Sequence, residues 1–282
     1  MHMKEITQET ICKLLPERNP HTHKGDYGKI LLLCGSRGYT GAAALAAMGA
    51  LRSGAGLVYL GVPESIYQIE ACKLTEPVIT PLPDADGKLS SVGISQILQM
   101  LHEKDAVLNG PGLGQSQGTR EVVAAVLHHY CGPVVLDADG INVLKAHKDI
   151  LRGRTSPTIL TPHEGEFKRL YGDIGENRLA AAVELACDLG VIVLLKGHKT
   201  IITDGKTHYI NGSGNPGMAT GGSGDVLAGI IVSLLGQGIA PLEAAACGAW
   251  LHGTAGDICA SEIGQYGMLP SDILNVLPRL LK

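Results

Sequence analysis

The chain has 282 residues, 45% hydrophobic and 18% charged, with a formal net charge of −4. No Lys/Arg cluster interrupts that acidic balance, which argues against nucleic acid as a main partner, because phosphate neutralisation needs a basic footprint. No apolar run is long enough for a bilayer span and no signal peptide opens the chain, so the expectation is a cytoplasmic globular protein with a sizeable core and no membrane association.

In chain order, His23-Lys-Gly-Asp-Tyr-Gly-Lys29 leads into a strand predicted over 29–34. A Gly-rich turn, Gly35-Ser-Arg-Gly-Tyr-Thr-Gly-Ala42, then opens a helix over 41–53. That turn matches neither the dinucleotide fingerprint nor the Walker loop. A strand over 57–62 and a helix over 91–101 follow. Next come a strand over 106–109, the loop Gly110-Pro-Gly-Leu-Gly-Gln115 and a helix over 118–129. The loop is either a phosphate or ribose cradle or a tight βα turn without a ligand. A strand over 133–138 carries Leu136-Asp-Ala-Asp-Gly-Ile-Asn142. Asp137 and Asp139 could hold a hydrated Mg²⁺; alternatively one caps the next helix and the other faces solvent. Asn142 could shape an acceptor pocket.

A strand over 158–161 ends at Pro162 and presents His163, Glu164 and Glu166, with a helix over 165–171 behind them. A helix over 178–189 and a strand over 191–196 come next. Lys196, Gly197, His198, Lys199 and Thr200 then join that strand to a hairpin over 200–203 and 207–211. The loop is either a nucleotide contact or a solvated turn. The most informative stretch is Asn215–Gly229, N-P-G-M-A-T-G-G-S-G-D-V-L-A-G, before an apolar helix over 226–235. Gly221, Gly222 and Gly224, with Ser223 between the last two, let backbone N–H groups converge where the helix dipole is positive, which makes an anion hole. Asp225 would take a proton from a hydroxyl beside that hole, or cap the helix, or both. The rest, 241–282, reads as helical, and its Ala- and Gly-rich section 244–256 permits close packing.

The alternation of strands and helices implies parallel β-α-β units in one α/β domain covering 1–282. Most strands are solidly apolar, as expected when helices cover both faces. Ligands of such sheets bind beyond the strand carboxyl ends, where most of these loops fall. With one Phe and one Trp, the core must be aliphatic. The seven cysteines form no C-x-x-C pair and read as buried reduced thiols.

From His23 to Leu277, these motifs together resemble the ADP/ATP-dependent NAD(P)H-hydrate dehydratases of the ribokinase-like superfamily. H-K-G-D-Y-G-K, T-P-H-E-G-E and the Asn215–Gly229 stretch carry most of the resemblance. It implies a three-layer α/β/α fold with a mostly parallel sheet. It also implies repair of hydrated NADH or NADPH: ADP or ATP phosphorylates the hydroxyl at C6 of the ring, and phosphate is then lost. With ADP the products are NAD(P)H, AMP and phosphate. By the resemblance, Asp225 is the base and the Gly222–Gly224 backbone, through Ser223, stabilises the transferring group. Ala42, Gly112 or Gly114, His163 and Asp225 meet the hydrate. Lys196–Thr200 and Gly224 meet the nucleotide, and Glu166 is linked to Mg²⁺. A homotetramer is implied as well, and an apolar, small-residue surface also suggests self-association. Glu164 stands where the family commonly has Pro, which alters loop stiffness more than chemistry. Only about 22 residues precede the first motif, so a separate epimerase is expected. The alternatives are a ribokinase-like kinase of a vitamin-type alcohol and a nucleotide-sensing binding protein without turnover.

Overall fold

The computed structural model describes residues 3–15, 18 and 20–281. Its strands are β1 (Met3–Glu5), β2 (Lys29–Leu33), β3 (Leu57–Pro63), β4 (Val78–Leu82), β5 (Asp84–Ala85), β6 (Lys88–Leu89), β7 (Ala106–Asn109), β8 (Val134–Leu136), β9 (Thr158–Leu160), β10 (Ile192–Leu195), β11 (Thr200–Thr203) and β12 (His208–Asn211). Ten of them form one sheet in the order β1-β12-β11-β10-β9-β8-β7-β2-β3-β4, and β5 and β6 form a separate hairpin. The large sheet is parallel except that β11 runs against both β10 and β12. The expected three-layer, mostly parallel architecture is therefore what the chain adopts.

The central strands are β-branched or Leu-rich and buried on both faces, which is why they lack polar alternation. On one face lie the helices Thr40–Arg52, Glu64–Lys73, Ser223–Gly236, Pro241–Ile263 and Pro270–Leu280. On the other lie Ile94–Leu101, Gln117–His129, Glu164–Leu170 and Arg178–Leu189.

The Ser223–Gly236 helix is apolar all round because it is enclosed all round. It packs on Thr40–Arg52 with no space for side chains: a Cβ on Gly229 would stand 2.2 Å from the Ala46 carbonyl oxygen, and one on Gly49 2.7 Å from that of Val226. On the other side, a Cβ on Gly248 would meet Ile231 at 2.6 Å. The small residues of 244–256 thus face inward, where they let the catalytic-side helix sit deep. This is the close packing expected of that section.

The sequence pattern missed β1, β4, the β5–β6 hairpin and the Glu64–Lys73 helix. Residues 241–281 contain two helices, separated where Gly264 takes φ +80. Among the described cysteines, Cys34, Cys247 and Cys259 are buried, but Cys72, Cys131 and Cys187 are exposed on the surface, against the expectation of buried thiols. Among the described residues, no helix is long and apolar enough to cross a membrane.

The connectivity locates a crevice. From β2 the chain moves outward through β3 to β4, then returns to place β7 on the other side of β2. The loops after β2 and β7 leave the sheet in opposite directions, and ligands of open α/β sheets bind at such a point.

Candidate active site

The carboxyl ends of β10, β9, β8, β7 and β2 lie side by side, and the chain stays in register just beyond them. Lys196 N donates to Pro162 O at 2.9 Å, Thr161 N to Leu136 O at 3.1 Å and Gly110 N to Leu33 O at 3.2 Å. This continuation holds the first residue after each strand in place. Asp137, 1% exposed, accepts from Thr161 Oγ1 at 2.7 Å and from Lys196 Nζ at 2.8 Å. Lys196 Nζ also lies 3.7 Å from Glu166 Oε2. Burial works against the Lys196 ammonium, yet Asp137 and Glu166 outweigh it and hold the amine above its ordinary value.

This charged cluster faces the start of the Ser223–Gly236 helix. A Cβ on Gly224 would lie 3.4 Å from Lys196 Nζ and 4.0 Å from Asp137 Oδ2. The helix begins three residues earlier than its apolar run. Its N-cap is Gly222, at φ +96 with no side-chain cap bond. Asp225 lies in the first turn, so the capping alternative is overturned. Its half-buried carboxyl is pushed up to about 6 by burial and by the charges of Asp137 and Glu166, while Lys196 opposes the rise. Such a group is poised to exchange a proton near neutrality.

Ser223 is buried, and its Oγ lies 3.3 Å from His252 Nε2. Burial, helped by the charge of Lys196, pushes His252 down to about 4, so the imidazole is neutral at pH 7. The sequence reading missed His252. Its only signal was a His on a long helix otherwise rich in Ala and Gly.

A cavity of about 640 Å³ opens in front of this helix start. Lys196, Gly197, His198, Lys199, Thr200, Ser223, Gly224, His252 and His163 all line it. The loop predicted to meet a nucleotide is therefore gathered with the glycine turn around one space. Arg178 staples that loop by donating to the carbonyls of Lys196 at 3.0 Å and His198 at 2.9 Å. A Cβ on Gly197, at φ +146, would strike Arg178 Nη2 at 2.6 Å. A side chain there would collide with the staple before it reached any ligand.

His163 also caps its own helix, because Nδ1 accepts from Gly165 N at 2.9 Å and Glu166 N at 3.3 Å. Glu166 returns the bond, accepting from His163 N at 2.9 Å.

The remaining substrate-side residues form a second group at the β2/β7 crevice. A Cβ on Gly112 would lie 2.8 Å from that of Ala42, and Ser36 Oγ donates to Gly112 O at 2.7 Å. Gly114 N donates to Asp139 Oδ2 at 2.8 Å, which locks the turn. Asn142 accepts from Arg169 Nε at 2.8 Å and donates to Asp139 Oδ1 at 3.4 Å, which braces the turn. Asp137 and Asp139 point at different partners and do not converge on one cation. Among the described residues no group of three or more His, Cys, Asp or Glu could hold a metal.

Ala138, between these two acids, is held at φ 47, ψ −115. Such conformations cost about 1–3 kcal/mol in a non-glycine residue. Ala138→Gly is expected to raise the unfolding free energy by about 1 kcal/mol, because part of the relief is offset by the freer unfolded chain. Denaturant midpoints check this; a destabilised variant would mean that the conformation carries no strain.

A three-layer sheet with a glycine turn feeding a buried helix beside an acid defines a ribokinase-like domain, and a ribokinase-like protein from Enterococcus faecalis shares the fold. The family model described as NAD(P)H-hydrate dehydratase matches residues 30–279. The chain belongs to that family. It is 46% identical over 275 residues to a bifunctional NAD(P)H-hydrate repair enzyme of Moorella thermoacetica, covering 95% of this chain and 52% of the relative. The chain thus spans about half the length of that relative and of several others it matches. It is 35% identical over 289 residues to an ADP-dependent (S)-NAD(P)H-hydrate dehydratase of Bacillus subtilis, covering 100% of this chain and 99% of that one. A crystal structure of the ADP/ATP-dependent NAD(P)H-hydrate dehydratase from Bacillus subtilis, co-crystallised with ATP/Mg²⁺, superposes with a TM-score of 0.83 at 32% identity, covering 99% and 98% of the two chains.

Proposed function

We propose that this chain is an ADP-dependent (S)-NAD(P)H-hydrate dehydratase acting as one ribokinase-like domain. The observation that carries the proposal is Asp225, a half-buried carboxyl in the first turn of a buried helix, next to a glycine-lined N-terminus and a nucleotide-sized cavity. ADP would occupy that cavity along Lys196–Thr200, with its phosphates at the Gly222–Gly224 backbone and Ser223. The hydrate's ring would enter from the Ala42/Gly112/Gly114 side, with His163 between the two ligands. Asp225 takes the proton of the C6 hydroxyl as its oxygen bonds to the terminal phosphorus and AMP departs. The C6–O bond then breaks with phosphate as leaving group, a proton leaves the adjacent ring carbon, and the double bond returns. Backbone N–H groups and the helix dipole stabilise the charge on the transferring group.

The donor set fits Mg²⁺ carried on nucleotide phosphates, because that ion needs only one or two protein carboxylates. Glu166, 5% exposed, and Asp137 border the helix start and would hold it. The ion supplies charge neutralisation for the phosphates.

A separate epimerase supplying the reactive epimer, a homotetrameric assembly and action in the cytoplasm belong to the same proposal. The exposed apolar side chains Ile263, Tyr266 and Leu269 favour self-association.

The test is incubation with hydrated NADH, Mg²⁺ and either ADP or ATP, following recovery of the dihydronicotinamide absorbance. No recovery with either nucleotide would refute the assignment. A stable phosphorylated product would instead indicate a small-molecule kinase.

The same site predicts a pH effect. Asp225 must be ionised to accept a proton, so activity rises with pH through an inflection near 6. Lys196 lowers the Asp225 value. Lys196→Met removes that influence, so at saturating ADP the acid limb should move to higher pH. An unmoved limb would separate Lys196 from the base.

A further inference from the structure

We propose that Arg37, Tyr39 and Lys88 form an outer subsite for the non-reacting half of the dinucleotide substrate, its phosphates and adenosine. This rests on the dehydratase reading and extends it to a part of the molecule that none of the residues above reaches.

The three side chains share one lip of the β2/β7 crevice. Tyr39 precedes the Thr40–Arg52 helix, and its Cβ is 3.0 Å from the position a Cβ would take on Gly112. Its ring is 62% exposed, although the backbone beneath it is fixed by Tyr39 N donating to Ser36 O at 2.8 Å. A Cβ on Gly38 or Gly41, on either side, would meet nothing within 4 Å, so the backbone flanking the exposed Tyr39 borders open space. The β5–β6 hairpin straps the two cations to this lip. Arg37 N donates to Gly87 O at 2.8 Å, and the Arg37 stem lies over Gly87. Lys88, the next residue, lays its stem over Gly114, its Cε 2.8 Å from a Cβ position there.

Among the described residues neither cation forms an ion pair; Asp86, exposed on the same hairpin turn, pairs with neither of them, and other polar groups around them are occupied. Lys73 donates to Thr40 Oγ1 and pairs with Glu70, Asp84 accepts from Ser65 Oγ, and Asp139 accepts from Gly114 N. Two unpaired cations anchored by their stems, beside an exposed phenol ring, fit a ligand carrying phosphates and a base. Charge-assisted contacts hold phosphate oxygens, and an aromatic face stacks on a base of any identity.

Position selects the ligand. The donor nucleotide fills the cavity on the far side of the Ser223–Gly236 helix start. A hydrate whose ring lies at Ala42 and Gly112 must send its other half outward along the 112–114 turn. Gly112 and Gly114 are at most about 7 Å apart in chain reach, which brings the emerging phosphates under Lys88 and Arg37.

The test compares the wild type with the R37Q/K88Q double variant, Tyr39→Ala and Tyr39→Phe. The substrates are hydrated NADH, hydrated NADPH and hydrated reduced nicotinamide mononucleotide, which lacks the adenylate half. The double variant should raise KM for both dinucleotide hydrates about tenfold. Its kcat should stay within about twofold, and KM for ADP and for the mononucleotide hydrate should match the wild type. The dinucleotide loss should shrink at high salt. Tyr39→Ala should raise dinucleotide KM at least about fivefold, with Tyr39→Phe restoring it. A larger rise with hydrated NADPH places the cations on the 2′-phosphate; equal rises place them on the pyrophosphate. Unchanged dinucleotide KM, or an equal rise for the mononucleotide or ADP, would overturn the subsite. A wild type that turns over no hydrate would instead refute the dehydratase reading. Even then, a fluorescence titration with NADH still decides the subsite, because equal NADH affinity in the wild type and the double variant removes it.

Discussion

Asp225→Asn is expected to lower turnover by roughly 10²–10⁴, the usual loss when a general base is removed. The variant should keep its fold. The helix cap is Gly222, and Asp225 makes no cap bond, so the change removes only a charge–dipole interaction of about 0.3–1 kcal/mol. That loss is partly offset, because burial already disfavours the charged form and raises the carboxyl to about 6. ADP affinity should hold or tighten slightly, since a negative charge leaves the surroundings of the phosphates. A purely structural role predicts near-normal turnover with altered stability. Measuring turnover, melting temperature and ADP affinity on one preparation separates the two, and turnover within a few-fold of the parent would remove Asp225 as the base.

The parts of this site that were legible in the sequence are those written locally. The glycine turn, Asp225 and the 196–200 loop each occupy a short stretch whose backbone needs are visible in residue type. Their common position at strand ends follows from the alternation of elements. What was not legible depends on sheet order. Lys196 and Asp137 are 59 residues apart, and they meet because β9 alone separates β10 from β8. The pairing gives Asp137 an ammonium as its immediate partner, which no local reading of its own segment announces.

Asn142 and Arg169, or Asp139 and Gly114, are likewise pairings between segments distant in the chain that no single segment announces. His252 reaches Ser223 from a helix whose Ala/Gly pattern signals packing and gives no sign of which polar side chain turns inward. The missed strands have a simpler cause. β4 is an edge strand with exposed residues and Pro81 within it, and Pro is tolerated there because an edge N–H needs no partner. β1 has three residues, too few for any period to show.

Gly224→Val is the complementary experiment, because it removes no proposed catalytic side chain and fills the space between them. Gly224 does not require a positive φ, so a β-branched residue in the first turn adds little backbone strain. The new side chain would start 3.4 Å from Lys196 Nζ and 4.0 Å from Asp137 Oδ2, on the wall of the 640 Å³ cavity. Its methyl groups would project further and take the volume where phosphate oxygens must approach the helix N–H groups. Losing one oxyanion donor typically costs about 10²–10³ in rate, and blocking access to several at once should cost at least that. ADP affinity should fall with it, in contrast to Asp225→Asn, where binding persists. The melting temperature should change little, since the displaced Lys196 head can turn toward the open cavity. Two variants one residue apart would thus fail differently, one in proton transfer and the other in phosphate binding. If Gly224→Val binds ADP like the parent, the phosphates do not sit at this helix terminus, and the nucleotide must be placed elsewhere along the 196–200 loop.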